Sequence, residues 1–219
     1  MFTLVTGNIE NYDNILAERI YRFRHEFFVE HLGWEACRKP DGRERDQFDG
    51  PACVHVVGQE GAEIVSYGRL LPTTRPHLLT DVYPEILRGA EAPTGPAIYE
   101  WTRHGVAPRM REAKGAGVFA RAAFGVVACA AEVLNLQGLL VETHPVIVDR
   151  LMDMGWDIEP LALPSDYEGA LLLPIFARLT SRTIATGQAA LEAIGGARLH
   201  VREDVRLGSP SARTMSAIH

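Results

Sequence analysis

The alanine-rich apolar segment at residues 115–134, which also carries Gly125, most constrains what this chain can fold into. Alanine is the best helix former, so the segment reads as a long helix, and Cys129 within it as core. Strand patterns precede it. Residues 53–57 and 64–71, joined through Gly58-Gln59-Glu60-Gly61, read as an antiparallel hairpin, and residues 97–106 as a further strand. After it come a strand at 139–142, a helix at 145–154, closing strands at 158–161 and 171–176, and a helix at 181–194. Ahead of everything, Leu16, Ile20, Phe23 and Phe27 recur at spacings of three and four. They predict an amphipathic helix over 12–31, ended by Gly33. The charged stretch 35–50, with its Lys39-Pro40-Asp41-Gly42 turn signal, reads as a loop whose charges are expected to order around a ligand. This order of elements predicts an α/β or α+β domain with a mixed sheet.

With 219 residues and 47% hydrophobic content, one large core is expected over residues 1–208, followed by a polar, mobile tail at 209–219. No apolar run is long enough to span a bilayer, and the start Met1-Phe2-Thr3-Leu4-Val5 lacks the basic and apolar regions of a signal peptide. Cys37, Cys53 and Cys129 make neither a disulfide framework nor a zinc pattern, and no metal is expected. A reducing cytoplasm is the simplest setting. A net charge of −6 argues against general nucleic-acid binding, and an acidic protein partner would need a local basic patch.

Four clusters carry chemistry. Arg24-His25-Glu26-Phe27-Phe28, running on to Trp34 and to Glu44-Arg45-Asp46-Gln47-Phe48-Asp49, combines an arginine, aromatics and spaced carboxylates, which suits a cationic or zwitterionic small molecule. Arg69 sits in an apolar strand, either snorkelling from an edge or functional. In Ile98-Tyr99-Glu100-Trp101-Thr102-Arg103, alternation sends Tyr99, Trp101 and Arg103 to one face and Ile98, Glu100 and Thr102 to the other. The plain alternative to function there is a buried ion pair of Glu100 with Arg69 or Arg24. Arg109, Arg111, Lys114 and the glycines Gly115 and Gly117 precede the alanine-rich helix, where free amides favour an anion; a flexible loop is the alternative. The histidines, His55 and His77 among them, show no metal-ligand spacing, and no nucleophile elbow, P-loop or dinucleotide fingerprint is present.

Taken together, Arg24-x3-Phe28-x5-Trp34, Glu44-x-Asp46-x-Phe48-Asp49, Gly68-Arg69-Leu70-Leu71-Pro72-Thr73 and Glu100-Trp101-Thr102-Arg103 resemble the acyl-homoserine-lactone synthases of the LuxI type, in the family's order over residues 24–103. Downstream the similarity is looser, through Thr143 and Gly155-Trp156. The resemblance implies a fold related to the GNAT acyltransferases: a mixed, mostly antiparallel, splayed sheet flanked by helices, whose V-shaped opening takes a phosphopantetheine arm. It implies S-adenosylmethionine and an acyl thioester as substrates, with no permanently bound cofactor. It further implies Arg24, Phe28, Trp34, Asp46, Asp49 and Arg103 around S-adenosylmethionine. Glu100 is expected as the base and Asp46 as its second or partner, Arg69 and Arg103 as catalytic arginines, and Trp101 and Thr143 along the acyl chain.

The pyrophosphate pattern of the GNAT acyltransferases would put a basic residue at Glu112, which is acidic. That departure tilts the expected donor slightly toward an acyl carrier protein docking on Arg109, Arg111, Lys114 and Arg121, with acyl-coenzyme A kept open by Lys39-Pro40-Asp41-Gly42-Arg43-Glu44 and Trp101. A GNAT-type N-acetyltransferase using acetyl-coenzyme A and a catalytically silent binding relative are the competing classes.

Overall fold

The computed structural model describes residues 1–112, 117–202 and 205. Strand β1 (Phe2–Thr6) leads into helix α1 (Asn14–Arg24), whose N-terminus is capped by Asp13 accepting from the Leu16 amide at 3.1 Å. The helix continues as a wide π-helical turn, His25–His31, and Gly33, at φ 74°, ends it. That turn lets the Trp34 amide reach back to the Phe28 carbonyl at 2.9 Å. The hairpin is β2 (Val54–Glu60) and β3 (Glu63–Pro72), followed by a short helix α2 (Leu78–Asp81) and strand β4 (Ile98–Val106). Helices α3 (Pro108–Glu112) and α4 (Val118–Val133), strand β5 (Gly138–Thr143), helix α5 (Pro145–Asp153), strands β6 (Asp157–Pro160), β7 (Ser165–Tyr167) and β8 (Ala170–Arg178), helix α6 (Ser181–Glu192) and strand β9 (Leu199–Val201) follow among the described residues.

The strands form one mixed sheet in the order β6-β8-β5-β4-β3-β2-β1-β9, with β7 paired to β8. Its antiparallel pairs are interrupted by two parallel ones, β4–β5 and β1–β9. The C-terminal segment thus supplies β9 beside β1. The strand β1 was not anticipated, because its five residues are buried without alternation and carry no period-2 signal. Helix α4 lies against α6, where Gly125 and Gly187 meet so closely that a Cβ on Gly125 would fall 2.7 Å from the Gly187 carbonyl oxygen. The expected tail at 209–219 lies outside the described residues.

Two features of β4 position the site. Its pairing with β5 covers only Ile98 to Glu100 against Gly138 to Leu140, and beyond that point the two strands part. On its other edge the register with β3 slips between Tyr67 and Arg69, so β4 carries an extra residue there. Arg103 absorbs this bulge at φ 51°, a left-handed conformation that costs a non-glycine residue about 1 kcal/mol or more. The bulge overturns the expected alternation. Arg103 joins the side of Thr102, while Trp101 and His104 pack together and onto Phe124 of α4.

Candidate active site

Three arginines and three carboxylates form a closed ring of alternating charge. Arg24, from the end of α1, donates through Nε to Glu44 and through Nη1 to Asp49, each at 2.6 Å. Arg69, from β3, reaches Asp49 at 3.0 Å and grips both oxygens of Asp46 at 2.7 and 3.0 Å, while its Nε donates to Thr102. Arg103 closes the circle with Asp46 at 3.4 Å and Glu44 at 3.3 Å. Charged groups in a low-dielectric interior persist when each has opposite partners, and here every member has two. The loop carrying the carboxylates is therefore ordered by arginines, with the Asp46 amide donating to Asp49 and the Glu44 amide to the Tyr21 carbonyl. This corrects the expectation that a ligand is needed to order it.

Burial alone would push the Asp49 carboxyl up, but Arg24 and Arg69 hold it far below the usual carboxylate range. Glu44 is lowered in the same way, against its burial, by Arg24 and Arg103. Behind the ring, burial drives His55 down to about 3, so it is neutral and pairs with the Tyr67 hydroxyl at 2.6 Å. Asp49, Cys53 and His55 bring potential metal ligands within 4.8 Å of one another. Asp49 is already engaged by Arg24 and Arg69, whose charges oppose a cation.

The ring is not uniform. The side chains of Arg24 and Arg69 are fully buried, whereas those of Asp46 and Arg103 are 17% and 11% exposed. Arg103 also makes the longest links. Its guanidinium lies 5.8 and 5.3 Å from the ring centres of Phe28 and Trp34, which stack on each other at 4.9 Å. Trp34 remains 41% exposed, so this corner is the accessible one.

Glu100 stands apart from the ring. The expected ion pair with Arg69 or Arg24 is not what holds it: it accepts from the Leu79 amide at 2.7 Å, the Leu78 amide at 3.0 Å and His77 Nδ1 at 3.1 Å. The start of α2 thus folds over Glu100 before an arginine reaches it. Trp101 and Thr143 lie on the α4 side of the sheet, whereas Glu100, Leu140 and Glu142 lie on the other, as the β4–β5 register requires. Arg109 is exposed and paired with Glu63 at 2.7 Å, and Arg121 is exposed on α4. The Arg111 side chain and Lys114, and with them most of the expected anion site, lie outside the described residues. Glu44, which belongs to the carboxylate motif but had no expected role, and His77, which has no ligand spacing, both join the site. Glu44 carried a signal in its spacing from Asp46; His77 carried none. A cavity of about 800 Å³ opens elsewhere, lined by Phe48, Pro51, Leu71 and Tyr99 and by no member of the ring.

The autoinducer synthase family profile matches residues 8–136, more than half of the chain. The chain belongs to the autoinducer synthase family. It is 33% identical over 159 residues to the isovaleryl-homoserine lactone synthase of Bradyrhizobium diazoefficiens, covering 73% of this chain and 70% of that protein. It is 32% identical to an acyl-homoserine-lactone synthase of Acinetobacter nosocomialis, covering 68% of this chain and 84% of that one. Among solved structures it resembles the CoA-dependent acyl-homoserine lactone synthase BjaI with MTA (TM-score 0.82, 26% identity, 95% of this chain and 98% of that one). A Pseudomonas aeruginosa acyl-CoA N-acyltransferase, 12% identical with TM-score 0.53, shares the fold alone. This autoinducer synthase is therefore an acyltransferase with a GNAT-like sheet, and the family expectation of the sequence is borne out.

Proposed function

We propose that this acyl-homoserine-lactone synthase transfers an acyl group from a thioester to the α-amine of S-adenosylmethionine and then closes the product to the lactone, releasing methylthioadenosine. The observation that carries this reading is the accessible corner of the charge ring, where Arg103 meets the Phe28–Trp34 stack. A guanidinium with long, weak links accepts a substrate carboxylate in a fork, and the aromatic pair accepts a sulfonium and a flat adenine. Asp46, the most exposed carboxylate of the ring, faces the α-amine. Arg24, Arg69, Glu44 and Asp49 lie deeper and act as the frame that holds Asp46 and Arg103 in place.

The α-ammonium gives one proton to solvent to become the attacking amine, and the nitrogen sheds a second as it bonds to the acyl carbon. Glu100 takes it, because it is the carboxylate of this region held by amides and His77 rather than by arginines. The thioester arm enters where β4 and β5 part, just past Glu100 and Leu140. In the second step the substrate carboxylate attacks the carbon beside the sulfonium, and Arg103 keeps it in line.

Although the sequence leans toward an acyl carrier protein, the similarity to a CoA-dependent synthase and to an isovaleryl-homoserine lactone synthase supports acyl-coenzyme A with a short or branched chain. The test is incubation of purified protein with S-adenosylmethionine and a panel of acyl groups on both carriers, read by mass spectrometry. Lactone and methylthioadenosine appearing together from coenzyme A thioesters is the expected result. Lactone from carrier-protein thioesters alone would overturn the donor assignment, and coenzyme A released with no lactone would overturn the function.

A further inference from the structure

Glu142 is a carboxyl that the reaction as described leaves unused. It lies on β5 two residues beyond Leu140, the last residue of that strand paired with β4, and on the same face as Glu100. It therefore flanks the opening between the strands on the side opposite Thr102. Beside it on this face, Leu140 packs in an apolar cluster with Leu79, Ile86, Leu87 and Phe176, bordered by Tyr83. The residue is only half-buried, but its Oε1 is buried and has no hydrogen-bond partner. A polar atom left in that condition is costly unless a ligand meets it. Burial raises this carboxyl well above its ordinary range and the neighbouring Glu100 charge raises it further, against weaker opposite pulls from its own backbone amide and the Tyr83 hydroxyl. A carboxyl raised in this way keeps its proton and can act as an acid.

We infer that Glu142 is the acid that protonates the departing sulfur of the acyl thioester. The inference rests on the thioester entering between β4 and β5. As the amine nitrogen bonds to the acyl carbon, its proton passes to Glu100. The carbon–sulfur bond breaks with its electron pair on sulfur, and sulfur takes the proton of Glu142. The proton held by Glu100 then restores Glu142, so the cycle neither gains nor loses one.

The test compares wild type with Glu142→Gln, a neutral replacement of the same shape, using one acyl group carried on coenzyme A and on thiophenol. Thiophenol is a far more acidic thiol and leaves without help. With coenzyme A the variant should lose about 10²-fold in kcat, and with thiophenol only about threefold, with S-adenosylmethionine affinity unchanged. Equal losses on both donors would mark Glu142 as structural, and no loss on either would remove it from the reaction; both overturn the inference. Wild type yielding no lactone from either donor would instead strike the proposed function itself.

Discussion

The charge ring and the Glu100–Glu142 pair are two opposite ways of keeping carboxyls inside a protein. Each carboxylate of the ring is shared by two arginines, and each arginine by two carboxylates. Glu100 is instead held by amides and His77, and Glu142 has an oxygen with nothing on it. Cross-paired charges resist disturbance and make a rigid frame, while carboxyls without arginines remain free to exchange protons. The difference predicts that damage to the ring's deep frame of Arg24, Arg69, Glu44 and Asp49 appears first as lost stability, and damage to the pair first as lost turnover.

The largest effect should come from Arg24→Met, which removes a fully buried charge and leaves Glu44 with Arg103 alone and Asp49 with Arg69 alone. A loss of about 3–5 kcal/mol in urea unfolding is expected. A loss under about 1 kcal/mol would mean that the ring carries no more than surface pairs do. The same carboxylates set an acid limit. Because the folded protein holds Glu44 and Asp49 below their unfolded values, their stabilisation is complete above about pH 5 and disappears as pH falls toward the folded values. Arg24→Met should flatten the acid limb of stability against pH, and an unchanged limb would assign it to other groups.

Much of the ring was legible in the sequence because its members recur at close spacing: Glu44, Asp46 and Asp49 in one loop, Arg24 with Phe28 on a periodic helix, and Arg69 and Arg103 in apolar strands. That they bind one another was not legible, since pairing is set by how β3, β4 and the loop cross in space. Arg103 shows the limit most clearly. Period-2 alternation put it with Trp101, and a bulge, which leaves no mark in composition, moved it to the opposite side. Glu142 was passed over because one glutamate in a short strand next to Thr143 carries no pattern. Its meaning comes from where β4 stops pairing.

A second, smaller effect separates the two groups of carboxyls. Glu100→Gln should lower kcat about 10²-fold while costing only about 1–3 kcal/mol in stability, since an amide can keep some of the hydrogen bonds. Steady-state kinetics beside denaturation would show it; a loss confined to stability would return Glu100 to the role of a cap on α2. Next in size, Arg103→Ala should weaken S-adenosylmethionine binding by about 2 kcal/mol with little change in the unfolding midpoint, because its links are the longest and most exposed in the ring. Calorimetric titration checks this, and an unfolding penalty equal to that of Arg24→Met would erase the distinction drawn within the ring. The smallest effect is Trp34→Ala, expected to cost about 1 kcal/mol of the same affinity through the lost aromatic face. Unchanged binding would take Trp34 out of the site.

A crystal structure of the protein with bound S-adenosylmethionine would decide between the Arg103 corner and the separate cavity. The carboxylate is expected on Arg103, the amine at Asp46 and the sulfonium and adenine against Phe28 and Trp34, with Arg24, Arg69, Glu44 and Asp49 unmoved behind them. Density for the ligand in the cavity lined by Phe48, Pro51, Leu71 and Tyr99, with the Arg103 corner vacant, would contradict that placement.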